Sequence, residues 1–145
     1  MVLLGGMRFR LFCYTLLTLS VLDTVWLLMI AFSFYKDQLL HLLAPAETVW
    51  AVLILYPLYA FGVTYFAVLP ALLASSLSTA LKRGALFGLV VYGYYNLTNQ
   101  AMLIDWPPIY TLVDIGWGVL ITAVASVVAF VLGRKGEWYG EGNKA

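Results

Sequence analysis

Charged residues are so sparse along this chain that the stretches between them stand out as four long apolar runs. The runs extend from about Leu11 to Tyr35, Val49 to Leu73, Ala85 to Ile104 and Ile109 to Gly133; only Asp23 breaks the first and only Asp114 the last. A helix needs roughly 20 apolar residues to cross a hydrocarbon core about 30 Å thick, so each run is long enough to span. Strands of a membrane barrel alternate polar and apolar with a period of two, and a stretch such as Val119 to Leu132 has no alternation. The pattern predicts an all-α membrane protein, a four-transmembrane-helix bundle forming one membrane domain over residues 1–145.

Between the first two runs, Leu39, Leu40, Leu42 and Leu43 surround His41, and Ala44-Pro45-Ala46-Glu47 reads as a helix start. A short helix over about 36–43, lying in the outer interface, is expected there, with His41 as its polar tip. The first run is too long for a secretory leader, contains an aspartate and is not followed by a small-x-small cleavage site, so it reads as a retained helix.

Composition agrees with a bilayer setting. At 63% hydrophobic, 10% charged and a mean hydropathy of +0.94, the chain lies far from the roughly 45–50% apolar and 25% charged of soluble domains. A net charge of +1 leaves no basic surplus for a nucleic-acid groove. One cysteine, Cys13, and one histidine, His41, supply neither a disulfide nor a metal cluster, so no cofactor is expected. Cys13 reads as a small apolar residue of the first helix.

Of the 8 basic residues, Arg8, Arg10, Lys82, Arg83, Arg134, Lys135 and Lys144 fall on one side of such a bundle and only Lys36 on the other. Cytoplasmic loops carry the excess of Lys and Arg, so both termini are expected in the cytoplasm. Trp50, Trp106 and Tyr110 would then lie in the outer aromatic belt.

Polar groups inside the runs are costly unless they face protein or water, and so are functional candidates. Asp23 with Trp26, and Asp114 with Trp117, form the same Asp-x-x-Trp spacing in the first and last helices; i, i+3 places acid and indole on one face. In the third run Tyr92, Tyr95, Asn96 and Asn99 share a face, which must be buried, and Gly84 and Gly88 continue it as a small-x-x-x-small pair suited to close helix approach. The second run adds Tyr56 and Tyr59 around Pro57, a pattern consistent with a kink. Counting depth at ~1.5 Å per residue from a turn centred near Trp106 puts Asp114 level with Asn99, ~8 Å below the outer interface, with Trp117 covering the carboxylate. The same count across the first hairpin puts Asp23 ~18 Å deep, level with about Phe61 and near Tyr59 and Tyr56. A polar wedge open to the outside would house them all.

Leu22–Leu27, Tyr56–Tyr59, Gly84–Tyr92, Asn96-Leu97-Thr98-Asn99, Trp106-Pro107 and Val113-Asp114-Ile115-Gly116-Trp117-Gly118 together resemble the bacterial membrane-protein family catalogued as domain of unknown function two-one-seven-seven, over almost the whole chain. The resemblance implies a small multi-pass protein of the bacterial inner membrane with no assigned reaction, in a setting of lipid-modification genes. It also implies aspartate in many relatives where this chain has Asn96, so ionisation at that position is not essential here.

Three functions follow as alternatives. One is a membrane protein that binds or moves a lipid-like or small amphiphilic molecule through an outward-facing polar-aromatic pocket. Another is a proton-coupled exporter working as a homodimer, with Asp23 exchanging the proton and facing its symmetry mate. The third, a lipid-modifying enzyme using Asp23 and Asp114 as acid and base, is weakest, because no nucleophile or phosphate-binding glycine loop accompanies the acids.

Overall fold

In the computed structural model the described residues are 5–42 and 50–141, with side chains described for 5–40, 42 and 50–135. They form four long helices, Gly5–Leu39, Trp50–Leu73, Leu77–Met102 and Pro108–Glu141. Three of them, the first, second and fourth, are long and apolar enough to cross a membrane. The third has 26 residues, but its polar stripe and its basic pair, Lys82 and Arg83, lower its hydropathy below that of the others.

The boundaries differ from the expected ones where local capping overrides the apolar pattern. The third helix starts at Leu77, about two turns before Ala85, because Ser76 accepts a hydrogen bond from the Thr79 N–H at 3.2 Å and caps it. Lys82 and Arg83 are therefore exposed residues of a helix and not a loop. Just before this cap, the Ser75 N–H bonds the Leu72 carbonyl and the Ser76 N–H the Ala71 carbonyl, with Ser75 at φ 49. This is a Schellman ending in which serine takes the left-handed position usually held by glycine. The second and third helices are thus a tight hairpin. At the other end, Lys36–Leu39 continue the first helix and Leu40–Leu42 tighten into one 3-10 turn, in place of a separate interfacial helix; residue 43 and the start signal at 44–47 lie outside the described residues.

Two wide π-helical turns interrupt the first two helices, at Trp26–Ala31 and Thr64–Val68. Pro57 lies inside the helix Trp50–Val63, and its missing N–H frees the Leu53 carbonyl.

Packing is uneven along the bundle. Leu11, Leu19, Val63, Val68, Ile121 and Phe130, with small alanines between them, form the buried core near the Ser75 turn. The third and fourth helices form the most extensive pair of the bundle, and their small residues explain how. A Cβ on Gly88 would run into the Gly118 carbonyl, and one on Gly84 would lie 2.8 Å from the Thr122 carbonyl, so the backbones are in contact. Toward the opposite end the bundle opens. The third helix meets the second closely along Thr64–Leu73, whereas along Trp50–Val63 the backbones diverge and aromatic side chains bridge them, Tyr59 with Phe87 and Tyr92. Much of the remaining surface is apolar and exposed, including Leu28, Met29, Leu53, Leu86 and Leu112, as lipid contact requires.

Candidate functional site

The two carboxylates of the first and fourth helices are held by four neutral donors. Tyr56 donates its hydroxyl to Asp23 Oδ2 at 2.7 Å, and the Trp117 indole N–H donates to Asp23 Oδ1 at 2.7 Å. Tyr35 donates to Asp114 Oδ1 at 2.8 Å, and the Asn96 amide donates to Asp114 Oδ2 at 2.7 Å. The two shells are joined. Trp26 stacks on Trp117 with centroids 4.4 Å apart and planes 9° from parallel, while its own N–H donates to the Tyr35 hydroxyl at 3.1 Å. Offset stacking at such a distance adds roughly 0.5–1.5 kcal/mol beyond area burial, so indoles, phenols and carboxylates brace one another.

Between the diverging second and third helices lies a cleft of about 440 Å³, walled by Leu55, Tyr56 and Tyr59 on one side and Val91, Tyr92, Tyr94 and Tyr95 on the other, with Asp23 and Asp114 in its lining. Nine of its lining side chains thus comprise five tyrosines, two acids and two aliphatics, the mixture of apolar wall and few convergent polar groups found in ligand sites. Tyr59 does not reach Asp23: its hydroxyl pairs with Thr122, which in turn donates to the Gly118 carbonyl at 2.6 Å. Tyr92 lies over Gly118, where a Cβ would collide with its ring. Leu55 and Tyr94 are exposed at the lips.

Asp23, Trp26, Tyr56, Asp114 and Trp117 form one hydrogen-bonded and stacked cluster, as the shared faces suggested, but several pairings differ. Asp114 bonds Asn96, not Asn99. The third helix ends at Met102, with the Leu103 N–H closing on the Asn99 carbonyl, and the chain then runs through extended Leu103 and a turn with Asp105 in the left-handed region at φ 61 before the fourth helix begins at Pro108. The hairpin is longer than a turn centred on Trp106, so Asp114 meets the residue one helical turn deeper. Trp117 serves Asp23 rather than covering Asp114. Asp23 is level with Tyr56, not Phe61, which is exposed. Thr15 meets Thr64 at 3.2 Å in the same register, so the first helix overhangs the start of the second. Tyr95 is 51% exposed at the mouth of the cleft and packs edge-on against Trp106, so the stripe it shares with Asn96 is not wholly buried.

Tyr35 was not foreseen. Nine residues from Trp26 at 100° each would put it on the opposite face of an ideal helix; the wide turn at Trp26–Ala31 advances less angle per residue and brings it round. A second polar network ties the third and fourth helices and their connection together at the same end: Gln100 accepts from Thr111 at 3.1 Å, Thr111 accepts from the Trp106 indole at 3.0 Å, and Gln100 donates to the Trp106 carbonyl at 3.0 Å. Among the described residues, no three His, Cys, Asp or Glu side chains converge as a metal site requires.

No curated protein and no solved structure matches the chain. One family model does, that described as "Predicted membrane protein (DUF2177)", and it matches residues 8–131, so that every residue of the carboxylate cluster and of the cleft falls within the match. The chain belongs to this family of membrane proteins of unknown function.

Proposed function

We propose that this protein binds a small amphiphilic molecule, lipid-like in its tail, in the cleft between its second and third helices, and thereby holds or moves that molecule in the bacterial inner membrane. The observation that carries the reading is the coincidence of a 440 Å³ cleft with both intramembrane carboxylates. Each acid is hydrogen-bonded at both oxygens, yet both still stand in the wall of an open space, from which acids placed only to join helices would be sealed. In this reading all four long helices span, both termini are cytoplasmic, and the cleft lies in the outer leaflet half, since Trp50, Met102 and Pro108 mark its end of the bundle and the basic residues cluster at the other. Leu55 and Tyr94 at the lips give the tail an apolar path sideways into lipid.

Both oxygens of Asp23 are engaged within one chain, which favours a pocket over an exporter whose Asp23 faces a symmetry mate. The test is native mass spectrometry of the purified protein released from micelles. One small amphiphile per chain is expected on the wild type and is lost from Val91→Trp, which fills the cleft from its wall. A wild type that carries no amphiphile, or a Val91→Trp variant that retains one equally well, overturns the reading.

A further inference from the structure

We propose that the head group taken by this cleft is a cation, an amine or quaternary ammonium attached to an apolar tail, held between Asp23 and Asp114 against the faces of the cleft tyrosines. The inference rests on the pocket reading above and deepens it.

Three observations converge. All four carboxylate oxygens accept a hydrogen bond from a neutral donor; an aspartate side chain offers about four acceptor positions, so each acid keeps positions that a ligand can fill. The donors are two phenols, an indole and an amide, so hydrogen-bonding capacity is partly met while charge is not. The described basic residues lie toward the helix ends, at Arg8, Arg10, Lys36, Lys82, Arg83, Arg134 and Lys135, and no Lys or Arg belongs to the cleft lining. Charge inside a membrane is expensive unless paired, and the site lacks the partner that a cationic ligand would bring.

The walls suit the same ligand. Tyrosine rings carry negative faces that attract a cation within about 6 Å, and Tyr56, Tyr59, Tyr92 and Tyr95 all line the space beside the acids. An anionic head, a fatty acid or phosphate, would meet two like charges with no compensating cation in the lining.

The experiment uses the full chain in nanodiscs of digalactosyldiacylglycerol, a bilayer lipid whose head group carries no charge and no ammonium, with empty discs as the background, and measures saturable binding of radiolabelled decyltrimethylammonium. Competition by decylamine, decanol and decanoate, equal in chain length and differing in head charge, reads the selectivity. Decylamine is expected to compete at least tenfold better than decanol, and decanoate not at all. Asp23→Asn and Asp114→Asn are each expected to weaken binding at least tenfold. Replacing part of the galactolipid by phosphatidylethanolamine or phosphatidylcholine separates two sources of the same chemistry: loss of probe binding assigns the ammonium to a lipid head group, and unchanged binding assigns it to a free amine. If decanol and decanoate compete as well as decylamine, the charge inference falls while the pocket stands; if no probe binds saturably, both fall. The comparison of probes needs no variant, so it decides the matter even where an aspartate substitution impairs folding.

Discussion

Asp114 owes its position to one amide. Asn96 is fully buried, and its Nδ2 donates both to Asp114 Oδ2 and to the Tyr92 carbonyl, so removing it strips the carboxylate of one of its two donors. Hydrogen bonds to charged groups contribute about 1.5–3 kcal/mol. Asn96→Ala is therefore expected to lose about that much in equilibrium unfolding from mixed micelles, whereas Asn99→Ala, one turn nearer the helix end, loses less than about 1 kcal/mol because its backbone carbonyl keeps the cap to Leu103. The opposite ranking would restore Asn99 as the partner of Asp114 and shift the hairpin register by a turn. The chemistry of these residues was legible in the sequence, since acids and amides stand out in apolar runs; their pairing was not. Depth counting assumes ideal turns, and the unwound Leu103–Pro107 connection moves the partner of Asp114 by three residues, from Asn99 to Asn96.

At the scale of the elements, the apolar runs locate the helices well and their ends poorly. Hydropathy marks where a helix can lie in lipid, while caps decide where it stops: Ser76 begins the third helix outside the apolar run, and the first helix continues through the polar Lys36–Gln38 to Leu39. The π turns were invisible for a related reason, because Trp26–Ala31 and Thr64–Val68 have the same apolar composition as their surroundings. The glycine pair was readable, and it tests the tight end directly. Gly88 faces the Gly118 carbonyl, whereas an added Cβ on Gly93 meets nothing within 4 Å. Gly88→Ala is expected to destabilise by about 1–3 kcal/mol through overpacking, and Gly93→Ala to be neutral or to stabilise by up to about 1 kcal/mol through helix propensity. Equal effects from both in thermal or denaturant unfolding would mean that the third and fourth helices do not pack backbone to backbone at Gly88.

For the whole molecule, the bundle has one sealed and one open end, and the proposed orientation, drawn from the distribution of charge, gives each a side of the membrane that can be tested. The sealed end holds the aliphatic core beside the Ser75 turn, with Lys82 and Arg83 exposed on the following helix and Arg8, Arg10, Arg134 and Lys135 at the same level. Six of the seven described basic residues belong to this end, and since cytoplasmic loops carry the excess of Lys and Arg, the orientation proposed above turns it to the cytoplasm. The open end holds the carboxylates, the cleft and the Trp106–Thr111–Gln100 network, and would face outward. Orientation is tested in a Cys13→Ala background by placing single cysteines at exposed positions of each end and labelling intact cells with a membrane-impermeant maleimide. Cysteines at Asp37 and Asp105 are expected to react, and cysteines at Ser78 and Arg134 only after the membrane is opened. Labelling of Ser78 and Arg134 from outside would invert the protein and place the cleft on the cytoplasmic side, so that any amphiphile it holds would be drawn from the inner leaflet. Labelling of Asp105 and Ser78 from the same side would mean that the third helix, the one whose hydropathy falls below that of its neighbours, does not span.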